Sequence, residues 1–396
     1  MSAGNLMRIA GIGAVVIVFI AGCASPIQRN PVPEDLVDVA QVKDLSDIRY
    51  WGDSQIDNLD SVMLESRWDE MGKRQQHYLA LSGGGDNGAY GAGFLNGWTA
   101  AGTRPEFTLV TGISTGALIA PFAFLGSKYD DKIKYFYTEY SAEDLIKKRS
   151  LFSIRRNASA VDPSGLREKI EQFIDEDVME EISVEYGKGR LLNIGTANLD
   201  TGRSVVWSIG RIAASGDPQA LGLIHDIIMA SASLGGIFPP VLIEVEANGT
   251  TYDEMHVDGG TSNQLFVYPL ALDWGKVMER ANVKEPPHVY LIRNAKLTPH
   301  YSPASYDLFD IIGHSVNSLI RTQGLGDLDH IFLETQRDNL EFYLTYIPND
   351  FTESHDGEFD NAYMRKLYAL GYERGLSEAP WERSPPGYDI SSQVDH

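Results

Sequence analysis

Residues Leu79 to Gly93 read LALSGGGDNGAYGAG, with six glycines in fifteen positions directly behind a short apolar run. An apolar strand that feeds glycines into a helix leaves a nest of backbone N–H groups at the positive end of that helix, and such a nest binds anions. The anion is either a cofactor phosphate or an oxygen that becomes negative only during a reaction. Everything around this stretch bears on that choice.

Gly83, Gly85 and Gly88 satisfy G-x-G-x-x-G in the strand-to-helix context of a dinucleotide fingerprint. That reading also needs an acid at the end of the second strand to hold the ribose. The second strand here ends Val110-Thr111-Gly112 without a carboxylate. Instead it runs into Gly112-Ile113-Ser114-Thr115-Gly116, a G-x-S-x-G between an apolar strand and the apolar helix that begins at Thr115. In a nucleophile elbow the serine sits on a tight strand-to-helix turn, so glycines flank it and its hydroxyl stands above the sheet. Ser114 is thus the candidate nucleophile, and the plain alternative is a serine N-cap.

Two kinds of base are on offer. His225, His256, His288, His300, His314, His330, His355 and His396 all follow Ser114, which leaves the serine, acid, histidine order of α/β-hydrolases available. Asp258 lies in Val257-Asp258-Gly259-Gly260, a loop after a strand candidate, whose plain reading is an Asp-Gly turn.

Taken in order, GGGDNGAYGAG (83–93), GISTG (112–116) and DGG (258–260) resemble the patatin-like phospholipases. Strong resemblance covers about His77 to Leu265, with weaker similarity at Phe238-Pro239-Pro240 and at LGYERG (370–375). The resemblance implies a three-layer α/β/α fold with a mostly parallel central sheet, and a catalytic unit spanning 77–396 with a helical C-terminal extension. It implies a serine acyl hydrolase of the phospholipase A or lysophospholipase type, working through a Ser114–Asp258 dyad without a catalytic histidine. Gly83, Gly84 and Gly85 then form the oxyanion hole, Gly112 and Gly116 shape the elbow, and Gly259 and Gly260 complete the Asp-Gly motif. The family's glycine loop usually carries a basic residue where this chain has Asp86-Asn87. An acid there would disfavour a nearby anionic headgroup. The competing readings are a Ser-His-Asp carboxylesterase and a lipid-binding envelope lipoprotein without chemistry.

The pattern along the chain agrees with an α/β class. Strands are expected at His77–Ser82, Phe107–Thr111, Leu191–Leu199, Ser204–Ile209, Val241–Glu246, Thr251–Val257, Val289–Arg293 and Leu340–Ile347. Asp200-Thr201-Gly202 and Asn248-Gly249 mark hairpins. Helices are expected at Gly88–Ala101, Thr115–Leu125, Asp130–Lys148, Ser164–Ile174, Pro218–Ser233, Ser305–Glu334 and Asp360–Gly375. Strand and helix alternating with short connections argue a doubly wound, parallel sheet. The helix from Pro218, the Leu234–Pro240 stretch and the apolar residues after Ser114 are candidates to line an acyl groove. Asn157-Ala158-Ser159 and Asn248-Gly249-Thr250 match the glycosylation sequon and read as loops.

The first 22 residues have their own logic. Arg8 precedes a twelve-residue apolar run, Ile9 to Ile20, too short to span a bilayer and shaped like a signal-peptide core. Cys23, the only cysteine, follows Ile20-Ala21-Gly22 and resembles the lipobox of bacterial lipoproteins, whose cysteine is lipidated. No aspartate follows it, which by similarity to the enteric sorting rule points to the outer membrane, facing the periplasm. Residues 23–76 read as a lipidated, proline-containing tether followed by a polar helix at Gln55–Gln75.

The chain of 396 residues has 33 basic and 55 acidic side chains, a net charge of −22. Nucleic acid is excluded as a partner by that charge, and anionic lipid would not attract the chain electrostatically. Membrane association is therefore expected through the acyl anchor and apolar surface. The acids near Asp350–Asp360 match no calcium loop, so neither metal nor cofactor is expected.

Overall fold

The computed structural model describes residues 29–54, 68–149, 159–268, 273–299, 301–354, 357, 359–378 and 380–388. The signal peptide, Cys23, His300, His355, His396, most of the Gln55–Gln75 helix and two residues of the Asn157 sequon lie outside the described residues.

Among the described residues nine strands form one sheet: β1 (Arg49–Trp51), β2 (His77–Leu81), β3 (Leu109–Gly112), β4 (Leu191–Asn198), β5 (Arg203–Ser208), β6 (Val241–Ala247), β7 (Thr250–Asp258), β8 (His288–Arg293) and β9 (Glu341–Tyr346). Their order is β1-β5-β4-β3-β2-β8-β9, and β4, β3, β2, β8 and β9 run parallel. The expected parallel sheet is thus present but carries on one side four further strands joined by antiparallel pairing, because the two hairpins β4–β5 and β6–β7 fold back beside it and β1 pairs with β5. Asn248 and Gly249 turn the second hairpin with φ of 51° and 75°, the left-handed pair that a tight hairpin needs.

Alternation along the strands builds two apolar cores. Leu79, Leu81, Val110, Ile194, Tyr290 and Ile292 face one side, and Tyr78, Ala80, Leu109, Leu191, Val289 and Leu291 face the other. On the first side pack α1 (Gly88–Ala100), α2 (Thr115–Leu125), α3 (Asp130–Glu139), α4 (Ser164–Phe173), α5 (Glu176–Gly187) and α6 (Ala220–Ser231). The second side is covered by the short helix Trp274–Arg280 and by α7 (Leu308–Arg337); α8 (Asn361–Leu376) returns to the first side against α1. This is a three-layer α/β/α arrangement. The helix expected over Asp130–Lys148 ends instead at Glu139, since Tyr140 turns extended and Ser141 caps a separate turn.

The pairing of α1 with α8 accounts for glycines that have no part in the anion loop. A Cβ on Gly93 would overlap the Tyr368 carbonyl, and one on Gly97 that of Tyr372. From the other helix, Gly371 and Gly375 stand against the carbonyls of Tyr90 and Phe94. Two four-residue glycine repeats therefore let the helices touch backbone to backbone, at a separation that side chains would forbid.

From Arg29 onward the N-terminal segment is not the free tether that its composition suggests. Asn30 bonds the backbone of Asp253 and Thr251, Gln41 pairs with Glu246, and β1 adds to the edge of β5. Ala40, Leu45 and Ile48 are buried. The sparse apolar residues of this segment thus cover strand edges that would otherwise be open to association.

Candidate active site

The turn from β3 into α2 places Ser114 with φ 56° and ψ −123°. A non-glycine residue held there costs about 1–3 kcal/mol, and the surroundings must impose it. A Cβ on Gly112 would collide with the Gly116 backbone, and one on Gly116 with Leu81 and Ser82. Both glycines are thus steric conditions for the turn.

Ser114 Oγ donates a 2.6 Å hydrogen bond to Asp258 Oδ2. Asp258 ends β7, is 4% exposed, and accepts on its other oxygen from Gly260 N–H at 2.7 Å. Its own N–H donates to the Ser233 carbonyl at 2.9 Å. Burial pushes the carboxyl up to about 6, and the bonds from Ser114 and Gly260 oppose that rise. A carboxylate near 6 is a better proton acceptor than one near its ordinary value and is still ionised at neutral pH. Gly259 passes so close to Gly195 that its Cβ would lie 2.5 Å from that carbonyl.

Two serines and an asparagine that the sequence did not single out hold these parts in place. Ser231, the last residue of α6, accepts from Ser114 N–H at 3.0 Å and donates to Gly195 C=O at 2.7 Å. Asn294, fully buried just past β8, donates its N–H to Ser82 Oγ at 2.8 Å and its side-chain amide to Ser82 C=O at 2.9 Å. Its Oδ1 accepts from Gly91 N–H at 3.0 Å, so one residue joins the glycine loop to the start of α1.

Within the loop the three glycines differ. Gly83 lies under Ser114, since its Cβ would be 3.3 Å from that of the serine, and its N–H points to the Gln264 carbonyl at 3.4 Å. Gly84, with φ 154°, runs so close to Asn294 that no side chain fits. Gly85 adopts φ 58° with open space on its Cβ side. Among the described residues no acceptor takes the N–H of Gly84 or Gly85.

Asp86, the acid of the loop, is tied to a later part of the chain. It is buried and accepts from Phe359 N–H at 3.2 Å, while Asn87 Oδ1 accepts from Tyr363 OH at 2.7 Å. The acid is thus spent on docking the start of α8. The acyl-groove candidates divide similarly: Leu223, Ile224, Ile227 and Ile228 of α6 are core, whereas Gly235 and Gly236 are exposed.

His256, His225 and His288 are engaged elsewhere. His256 is fully buried, with Nδ1 3.0 Å from Thr196 Oγ1 and Nε2 3.0 Å from Glu254 Oε2, and burial lowers its pKa. Glu254 in turn forms a buried two-pronged pair with Arg49, whose Nη2 also donates to Ala40 C=O at 2.9 Å. His225 Nε2 lies 2.7 Å from the Ile174 carbonyl, and His288 beside Tyr290 and Glu341. Among the described residues no group of three or more His, Cys, Asp or Glu could hold a metal ion.

The patatin-like phospholipase family model matches residues 79–271. No curated protein sequence matches the chain. Among solved structures it is similar to VipD from Legionella pneumophila, at 12% identity over 76% of this chain and 66% of that one, with a TM-score of 0.36. It is also similar to human GIVD cytosolic phospholipase A2, at 11% identity over 71% of this chain and 51% of that one, with a TM-score of 0.29. The chain therefore spans between about half and two thirds of the length of these two proteins.

Proposed function

We propose, from the similarity of residues 79–271 to the patatin-like phospholipase family, that this chain is a serine hydrolase of lipid acyl esters. The observation that carries the reading is the 2.6 Å bond from Ser114 Oγ to a buried Asp258, beneath a turn of free glycine N–H groups.

Ser114 Oγ attacks the acyl carbonyl carbon while Asp258 takes its proton. The carbonyl oxygen becomes an oxyanion held by the N–H groups of Gly84 and Gly85, with Gly83 beneath them closing the floor. Glycine is needed because no side chain can stand between amide and oxyanion. The carbon–oxygen bond to the leaving alcohol then breaks, and the alcohol takes the proton from Asp258. Water adds to the acyl-serine with Asp258 again accepting a proton, and release of the fatty acid restores Ser114.

Localisation is part of the same proposal. Cys23 becomes lipidated, and the anchor holds the enzyme at the outer membrane beside its substrate, on the periplasmic side. Labelling of the full chain with a fluorophosphonate, wild type against Ser114→Ala, tests the nucleophile without knowledge of the substrate. Labelling of wild type alone supports the hydrolase. Labelling of neither while folded favours the lipid-binding reading, and equal labelling of both moves the reactive nucleophile away from Ser114.

A further inference from the structure

We propose that the N-terminal half of α7 is a lipid-surface anchor that seats the catalytic mouth on a bilayer; this rests on the lipid-hydrolase reading. The helix has two unlike halves. From Gly324 to Arg337 it is bound to the sheet, with Leu328, Ile331 and Phe332 buried. The junction lies at the site: Gln323 Nε2 donates to the Ser262 carbonyl, and Asp327 accepts from Gln264 and Leu265 N–H at 2.5 and 3.2 Å. Ser262 to Leu265 is the segment that follows Asp258-Gly259-Gly260.

Gly324 also lies against the Arg293 guanidinium, at the end of β8, on the same sheet edge as Ser82 and Ile113. Because α7 runs antiparallel to the strands on its way to β9, the residues before Gly324 extend past that edge. At 1.5 Å per residue, Leu308 stands about 24 Å beyond it. This projecting half is exposed, and it is amphipathic. Leu308, Ile311, Ile312, Val316 and Leu319 follow i, i+3, i+4, i+8, i+11 spacing and fall on one face; Gly313, Asn317 and Arg321 fall on the other. Leu308 and Leu319 are 65% and 69% exposed.

The occupant that fits is a lipid surface of low net charge. Residues 301–323 carry two acids and one arginine, in a chain of net charge −22, so this projection is nearly neutral where the rest is strongly acidic. Tyr301 and Tyr306, both fully open to solvent ahead of the helix, have the amphipathic rings that settle at headgroup level. Apolar burial, rather than charge, then supplies the attachment. A substrate ester lies at the headgroup boundary, and an anchor joined to the Ser262 loop keeps the catalytic edge of the sheet turned toward it.

The test uses residues 24–396, so that neither an acyl chain on Cys23 nor the apolar run Ile9–Ile20 contributes, and vesicles of palmitoyl-oleoyl phosphatidylcholine. L308Q/I312Q/L319Q replaces three exposed residues by a good helix former, which keeps the helix and removes its apolar face. Vesicle affinity is expected to fall about a hundredfold, with hydrolysis of a soluble short-chain nitrophenyl ester unchanged within about twofold. Unchanged vesicle affinity overturns the proposal. So does a dimer in solution that the triple variant converts to monomer while vesicle affinity holds, since a second copy then covers the face. Failure of the unsubstituted protein to cleave the soluble ester counts against the hydrolase reading, and the vesicle measurement judges the anchor separately.

Discussion

Asp258 stands directly opposite Thr196 in the antiparallel pairing of β7 with β4, two residues beyond Ile194, which stands opposite Gly112 of β3. One edge of β4 therefore carries first the strand that leads into the Ser114 turn and then the strand that ends in Asp258. Residues 144 apart in sequence meet because they are consecutive along that edge.

Asp258→Asn keeps the shape and removes the base, so turnover is expected to fall by at least about a thousandfold. In the wild type, kcat/KM should decline below pH of about 6 as the carboxyl protonates. The same shift sets a stability trend. The folded-state pKa is raised, so the protonated form favours the fold at acid pH and that contribution is lost as pH rises through 6. Relative to wild type, the Asn variant should gain up to roughly 3 kcal/mol between pH 3.5 and pH 8. Thermal melts at both pH values, with kinetics across the range, check both statements.

Ser231→Ala leaves the Ser114 N–H and the Gly195 carbonyl without their shared partner. A loss of about 1–3 kcal/mol in stability is expected. The Ser114 turn is strained, so loosening it should lower kcat by about tenfold with KM for a soluble ester little changed. A proportional rise in KM instead would place Ser231 in substrate binding.

Arg49→Met leaves Glu254 buried without its cation, and a loss of about 3–5 kcal/mol is expected. Adding Glu254→Gln should restore much of it, because the uncompensated charge is then gone while a polar partner for His256 remains. Denaturant melts of the two singles and the double measure this coupling. In the wild type, burial would raise the Glu254 carboxyl, but His256 and Arg49 hold it down to about 2, so its contribution is present above pH 4.5 and fades as pH falls toward 2.

Two glycines in helices should respond oppositely to alanine. At Gly93 a methyl group meets the Tyr368 carbonyl across the α1–α8 contact, and a loss of about 3 kcal/mol or more is expected. At Gly326, exposed in the middle of α7 with open space around it, alanine should stabilise by about 0.5–1 kcal/mol. Melting temperatures of the pair distinguish helix propensity from close packing.

The parts that were legible in the sequence are those whose cause is local. The strand, tight turn and helix around Ser114 need their glycines within five residues, and α2 lies at Thr115–Leu125 as its pattern predicts. Hairpin turns at Gly202 and Asn248-Gly249 were readable for the same reason. What stayed hidden has causes elsewhere in the chain. Ser231 and Asn294 are an ordinary serine and asparagine until the fold brings them to Ser114 and Ser82, 117 and 212 residues away. α5 was concealed by its acids, with only Val178 and Ile182 turned inward. The segment from Arg29 looked like a linker because the hairpin strands it covers lie about two hundred residues later.

The strand order also bears on how this protein can be cut for expression. The family match stops at residue 271, yet β8, which is hydrogen-bonded to β2 along Tyr78–Leu81, begins at His288. α8, whose glycines interlock with those of α1, begins only at Asn361. A recombinant fragment trimmed to the matched region would turn β2, an interior strand, into a raw border and uncover the helix that follows the anion loop. Such a fragment should aggregate, and the shortest workable gene ends beyond Leu376.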